Sequence, residues 1–68
     1  MMNPQDFRAW IARMELSDRM AAELLELSRN TVAKYKVEGA PAYIGYACAA
    51  LAAGLPAWAE EGKANGEI

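Results

Sequence analysis

Three side chains able to bond to the edges of DNA bases stand close together near the middle of the chain: Arg29, Asn30 and Lys34. Arg can donate two hydrogen bonds to O6 and N7 of guanine, and Asn can pair with N6 and N7 of adenine. On a helix these residues lie opposite the apolar Val32, with Ala33 between them and free to contact a thymine methyl group. We expect them to read bases in the major groove. The alternative is a solvated helix face on which Ala33 is simply a good helix former.

A second group of side chains is suited to the phosphate backbone, which accepts bonds from cations, hydroxyls and backbone amides. Thr31 and Lys36 follow the base-reading residues, and Arg19 stands at the second position of the preceding helix. Tyr43 can offer its hydroxyl group. Ser28 caps a helix whose free N-terminal amides can bind a phosphate. The alternative is an ordinary surface role for each, and for Ser28 a role as cap alone.

Four helices are predicted to position these residues. The first begins after Asn3 and carries an apolar stripe with helical spacing, from Phe7 through Trp10 and Ile11 to Met14. A second helix covers residues 18–25 after the cap Ser17. A tight turn leads to a third helix over residues 29 to 36 or 37.

The remainder of the chain is predicted to be helical and rich in alanine. Gly39 ends the third helix, and a fourth covers residues 41–53 before Gly54. Residues 56–60 can add one further helical turn. The single cysteine, Cys48, fits a small buried side chain, and Tyr35 and Trp10 are expected in the core, because both lie on apolar stripes.

Two segments resemble a known family. Residues 17–25, SDRMAAELL, resemble the second helix of the lambda repressor and Cro-like (XRE-type) regulators, and residues 27–35, LSRNTVAKY, resemble their turn and recognition helix. The resemblance implies an all-α, compact four- to five-helix lambda-repressor-like helix-turn-helix domain in which Arg29, Asn30 and Lys34 read bases. Two positions depart from the family, since Glu26 replaces the usual Gly of the turn and Asp18 replaces a Gln. A carboxylate at Asp18 would repel a phosphate, so that contact is not carried over.

Composition gives one domain and an unusual charge for a DNA-binding protein. The 68 residues include seven Lys and Arg against nine Asp and Glu, a net charge of −2. The surplus acids lie in residues 60–68, and Arg29, Lys34 and Lys36 form a basic cluster without an intervening acid. Because screening acts over about 8–10 Å, the local cluster matters more to phosphate attraction than the distant tail. We expect residues 1–59 to form the DNA-binding domain and residues 60–68 a flexible acidic tail.

The residue types argue against an enzyme. The chain has no His and one Cys, which excludes a Cys/His zinc site and a Cys–His catalytic pair, and no Gly-rich phosphate loop is present. No metal, cofactor or small-molecule ligand is expected. No apolar run reaches the roughly 18 residues of a membrane span, and the N-terminus does not read as a signal peptide. We therefore expect a cytoplasmic, nucleoid-associated protein of a bacterial or phage-infected cell.

The C-terminal part carries more apolar surface than a small core needs. Tyr46, Leu51, Leu55 and Trp58 are predicted to form a two-fold homodimer interface. Such a dimer would space two recognition helices about 34 Å apart, one turn of DNA. The alternative is that Trp58 folds back on its own core.

The sequence thus predicts a homodimeric DNA-binding regulator, most simply a repressor of its own gene that binds a palindromic operator. Its size and architecture resemble those of small phage autorepressors, including the anti-CRISPR-associated regulators. The alternative is a helix-turn-helix protein-interaction module, antitoxin-like or adaptor-like, with weak DNA binding. The net negative charge, Asp18 and Glu26 favour that alternative.

Overall fold

Four α-helices make up the part of the protein that the computed structural model describes, residues 1–60, and no strand occurs in this range. They are α1 (Pro4–Arg13), α2 (Asp18–Leu25), α3 (Arg29–Glu38) and α4 (Ala42–Ala52). The all-helical class is confirmed. The tail predicted for residues 60–68 lies outside the described residues except for Glu60. None of the helices in residues 1–60 has the length and hydrophobicity that crossing a bilayer requires.

The first three helices begin at the predicted caps. The side chain of Asn3 accepts a bond of 2.8 Å from the amide of Asp6, and Ser17 accepts one of 3.0 Å from Met20. Ser28 accepts a bond of 3.1 Å from the amide of Thr31. These caps fix where α1, α2 and α3 start, because each satisfies a first-turn amide that has no partner within its own helix.

The turn between α2 and α3 depends on a left-handed residue. Glu26 has φ 58°, and the amide of Leu27 donates to the carbonyl of Ala22 at 2.8 Å. This bond closes the end of α2 in the pattern that normally favours Gly. Glu15 ends α1 in the same way with φ 57°, a turn that the sequence did not single out. Gly54 has φ 75° and ends α4 as predicted.

Gly39 ends α3 at the point where the N-terminal segment of the chain crosses it. Its φ is 93°, and a Cβ atom here would lie 2.7 Å from the carbonyl oxygen of Met2. Met2 and Ala40 exchange two backbone hydrogen bonds, both of 2.9 Å. Glycine is therefore required at this position for two reasons, its backbone conformation and the close approach of Met2.

The core lies where α3 packs against α1 and α2, while α4 packs against α1. The ring of Phe7 lies 5.9 Å from Trp10 and meets Tyr35 of α3 edge-on at 5.7 Å. Trp10 is buried and Tyr35 packs partly buried against the core, which confirms their assignment. The fully or nearly buried side chains are Phe7, Trp10, Ile11, Ala21, Ala22, Val32, Ala40, Ile44 and Cys48.

The helical spacing of the apolar residues in α2 does not bury all of them, since Leu24 is 45% exposed. The further helical turn predicted for residues 56–60 is not present at residues 56–59, which adopt no regular structure. A single turn gains too little from packing to offset the cost of nucleating a helix, and Leu55 and Trp58 are both exposed.

Candidate nucleic-acid interface

The outer face of α3 brings the four predicted base-reading residues together. Arg29, Asn30, Ala33 and Lys34 are all exposed, whereas Val32 on the opposite side is fully buried. At about 100° per residue they span an arc of about 140°. Neither Arg29 nor Lys34 makes an ion pair with any residue that the structure describes. This face is therefore polar and cationic, and α1 and α2 hold it in place through the buried side of the helix.

The start of α3 is fixed by two hydroxyl groups. Besides capping the helix, the Ser28 Oγ lies 2.9 Å from the Thr31 Oγ1, so the two side chains also bond to each other. Each hydroxyl retains further bonding capacity, since a hydroxyl has one donor and two acceptor sites. Ser28 and Thr31, two of the predicted phosphate contacts, thus stand at the N-terminal end of α3. There the backbone amides point toward solvent and the helix dipole favours an anion.

Lys36, another predicted phosphate contact, is held by a carboxylate. Its Nζ lies 2.9 Å from Oδ1 of Asp18, and the two side chains are 34% and 42% exposed. The pair joins the first residue of α2 to the last turns of α3. Asp18 therefore does not stand as an uncompensated negative charge, and Lys36 is not a free cation in this arrangement.

The last turn of α3 is tied to α1 as well. The guanidinium of Arg8 donates to the backbone carbonyl of Lys36. The helical partner of that carbonyl would be the amide of Ala40, which donates to Met2 instead. Arg8 therefore satisfies a carbonyl left without its helical bond, and its positive charge suits the C-terminal end of a helix. This contact could not be predicted from the sequence, because the two residues are far apart in the chain.

The remaining predicted phosphate contacts lie at the edges of the surface. Arg19 on α2 pairs with Glu23 at 3.5 Å, and both side chains are well exposed. Such a pair is weak and readily exchanged for a phosphate. Tyr43 is exposed at the start of α4.

Burial, with a smaller effect of the neighbouring Tyr43, raises the pKa of Tyr35 above its usual value of 10, so its hydroxyl stays protonated at neutral pH.

The predicted dimer residues do not form one surface on the single chain. Leu51 and Leu55 border an apolar groove with Leu24, whereas Tyr46 lies beside Gly45 and the N-terminus. Five residues along a helix separate Tyr46 and Leu51 by about 140°. Leu51 is partly buried against its own core, and Trp58 is 85% exposed. Trp58 therefore does not fold back on the core of its own chain.

Val37 was not among the predicted interface residues. It follows Ala33 by four positions, lies on the same outer face of α3 and is 74% exposed. The signal that could have found it was the length of α3, because the predicted helix ended at residue 36 or 37 and the observed one extends to Glu38.

The described residues contain no cluster suited to a metal ion, and their single cysteine is buried. Among residues 1–60, no three His, Cys, Asp or Glu residues are placed to hold a metal ion. Cys48 is buried, and burial raises the pKa of its thiol to about 11, so it is a neutral side chain at physiological pH.

Comparison with protein-family models, with curated proteins and with solved structures finds no match to this chain.

Proposed function

We propose that the protein is a sequence-specific regulator of transcription that binds double-stranded DNA with α3 in the major groove. The observation that carries the proposal is the outer face of α3, on which Arg29, Asn30, Ala33 and Lys34 are exposed together without an acid among them. In this proposal α2, the turn at Glu26 and α3 act as the helix-turn-helix of a lambda-repressor-like domain.

The dimensions of α3 suit this role. With its side chains a helix is about 10–12 Å across, and the major groove is about 12 Å wide, so α3 fits within it over its ten residues. The N-terminal residues Arg29 and Asn30 would contact base edges, as recognition helices usually do. Ser28, Thr31 and the nearby amides would fix the helix against a phosphate.

We further propose that the regulator acts as a homodimer on an inverted repeat. Leu24, Leu55 and Trp58 are exposed apolar side chains, and Leu24 and Leu55 border the same groove. We expect a second copy to cover them, and a dimer on such an operator needs its two α3 helices about 34 Å apart. Control by its own concentration, as an autorepressor, is the simplest mode for such a protein.

The charge distribution predicts weak binding to unrelated DNA. Among residues 1–60, Lys36 is held by Asp18 and Arg19 pairs weakly with Glu23, which leaves Arg29 and Lys34 as the unpaired cations of the α2 and α3 surface. Non-specific affinity rises with the number of phosphates neutralised. Discrimination would therefore come mainly from base contacts.

A second function is favoured by the pairing of Lys36 with Asp18 and of Arg19 with Glu23, and by the exposed apolar side chains. If Leu55 and Trp58 bind a different protein rather than a second copy, the molecule is an interaction module whose α3 face contributes little. Such a module would co-purify with its partner and show no preferred DNA sequence.

Selection from a random DNA library at near-physiological salt tests the proposal. The expected result is an enriched palindrome with half-sites about one helical turn apart. Arg29→Ala should reduce the enrichment. Arg13→Ala, which removes an equal charge from the groove between α1 and α4, should leave it unchanged. Folded protein that enriches no sequence would contradict the proposal and favour the interaction module.

A further inference from the structure

The outer face of α3 carries an apolar strip along its centre. Val37 lies four residues after Ala33, so the two side chains are neighbours on the helix surface. Val37 is 74% exposed, and Ala33 is exposed as well. Arg29 borders the strip on one side, and Asn30 and Lys34 border it on the other. The strip is therefore enclosed by the residues proposed to bind bases.

Within residues 1–60, neither packing nor helix formation favours valine at position 37. The side chain buries little surface there, so it gains little from the hydrophobic effect. Its β-branched side chain also makes valine a weaker helix former than alanine. The described part of the chain therefore leaves the side chain open to an apolar group of a partner.

Only one base offers an apolar group at the edge of the major groove. Thymine carries a methyl group at C5, and cytosine has a hydrogen at that position. A side chain with two methyl groups and no polar atom fits this group and gains nothing from the polar edges of the other bases.

We propose that Val37 contacts a thymine methyl group in the operator and selects thymine over cytosine at that position, with Ala33 extending the same apolar strip. The inference rests on the proposed DNA binding by α3. Val37 is thereby a specificity-determining residue at the C-terminal end of the reading face. Arg29 and Asn30 occupy the other end, about 12 Å away along the helix axis.

Uracil substitution tests the contact, because it removes the thymine methyl and leaves every hydrogen-bonding group in place. In the enriched operator, each thymine is replaced singly by uracil, and the dissociation constant is measured by fluorescence anisotropy. For the unaltered protein, one such position per half-site should weaken binding about three- to fourfold, the effect of one buried methyl group.

Two variants assign that effect to Val37. Val37→Ala should bind the thymine operator less tightly and show no further loss with uracil at the same position. Val37→Thr keeps the β-branched shape and one methyl group, and should retain the loss with uracil. Circular dichroism should show unchanged helix content, because the altered side chain is exposed.

The outcomes separate this inference from the proposed function. A preferred operator whose affinity is insensitive to uracil everywhere, or equally sensitive in Val37→Ala, would overturn the thymine contact and leave DNA binding intact. A folded protein with no preferred operator would overturn both.

Discussion

Removing the carboxylate of Asp18 should weaken the fold and strengthen DNA binding at the same time. In the structure its Oδ1 lies 2.9 Å from the Lys36 Nζ, beside the proposed DNA surface. Asp18→Asn keeps the size of the side chain and removes its charge. The ion pair is lost, and Lys36 becomes available to a phosphate.

The expected loss of stability is small, because both partners are partly exposed. Pairs of this kind contribute about 0.2–1 kcal/mol. Asp18 also stands in the first turn of α2, where a negative charge adds about 0.3–1 kcal/mol through the helix dipole. Together these give about 1 kcal/mol, or a fall in Tm of about 4–8 °C for a domain of this size. Lys36→Met, which loses the pair alone, should cost less.

The expected gain in DNA binding is one additional phosphate contact per subunit. The slope of log Kd against log salt should steepen by about 0.9 per subunit in Asp18→Asn, or about 1.8 for the proposed dimer. In the Lys36→Met background the same change should leave the slope as it was, because no cation is released. Glu38→Gln is the matched control, since it removes an exposed acid of α3 that pairs with nothing among residues 1–60.

Thermal unfolding tests the expected loss of stability, and a salt titration of binding to the enriched operator tests the expected change in slope. An Asp18→Asn variant with unchanged Tm would show that the pair does not stabilise the fold. An unchanged salt slope, or a slope raised equally in the Lys36→Met background, would refute the reasoning that Asp18 restrains Lys36.

Three further changes have definite expected outcomes for stability. Gly39→Ala should destabilise the protein by several kcal/mol in urea unfolding, because its Cβ would lie 2.7 Å from the Met2 oxygen. Gly54→Ala is the control: it has a similar left-handed φ but open space around it, and should cost about 1 kcal/mol. Glu26→Gly should stabilise by about 1 kcal/mol, because it relieves a left-handed φ of 58°, and a lower urea midpoint would contradict this. From about pH 9 to about 11, stability should fall as pH rises, because the unfolded state releases the proton of Cys48 and the folded state retains it; Cys48→Ala should lose that part of the slope.

The helices could be predicted from the sequence where local chemistry decides them. Asn3, Ser17 and Ser28 each precede an apolar-periodic segment, and each caps a helix in the structure. The inner stripe of α1 was predicted for the same reason, since Phe7 and Trp10 repeat with helical spacing. Local signals of this kind do not depend on the rest of the fold.

The contacts that join distant segments could not be predicted in this way. Arg8 donates to the carbonyl of Lys36, whose helical partner, the amide of Ala40, is bonded to Met2. The pairing of Asp18 with Lys36 likewise follows from how α2 and α3 pack. The exposure of the outer face of α3 could therefore be predicted from the sequence, whereas the ion pair that partly neutralises the predicted phosphate contact Lys36 could not.

The apolar surface on and after α4 could likewise be predicted only in part. Leu51 and Leu55 share a groove with Leu24, but Tyr46 stands on a different side of α4. Apolar composition indicated that this region has unused surface. Which of these side chains lie together depends on helix rotation and on the path of residues 55–59, and composition does not contain that information.

The central claim is that the outer face of α3 reads DNA sequence. The most direct test is the ratio of affinities for the enriched operator and for a scrambled sequence, measured by competition with the unaltered protein, Arg29→Ala and Arg13→Ala. We expect Arg29→Ala to lose about 1–3 kcal/mol on the operator, with little change on scrambled DNA, so that the ratio falls at least about fivefold. Arg13→Ala should keep the original ratio. If Arg29→Ala also keeps it, α3 does not read the sequence through this face.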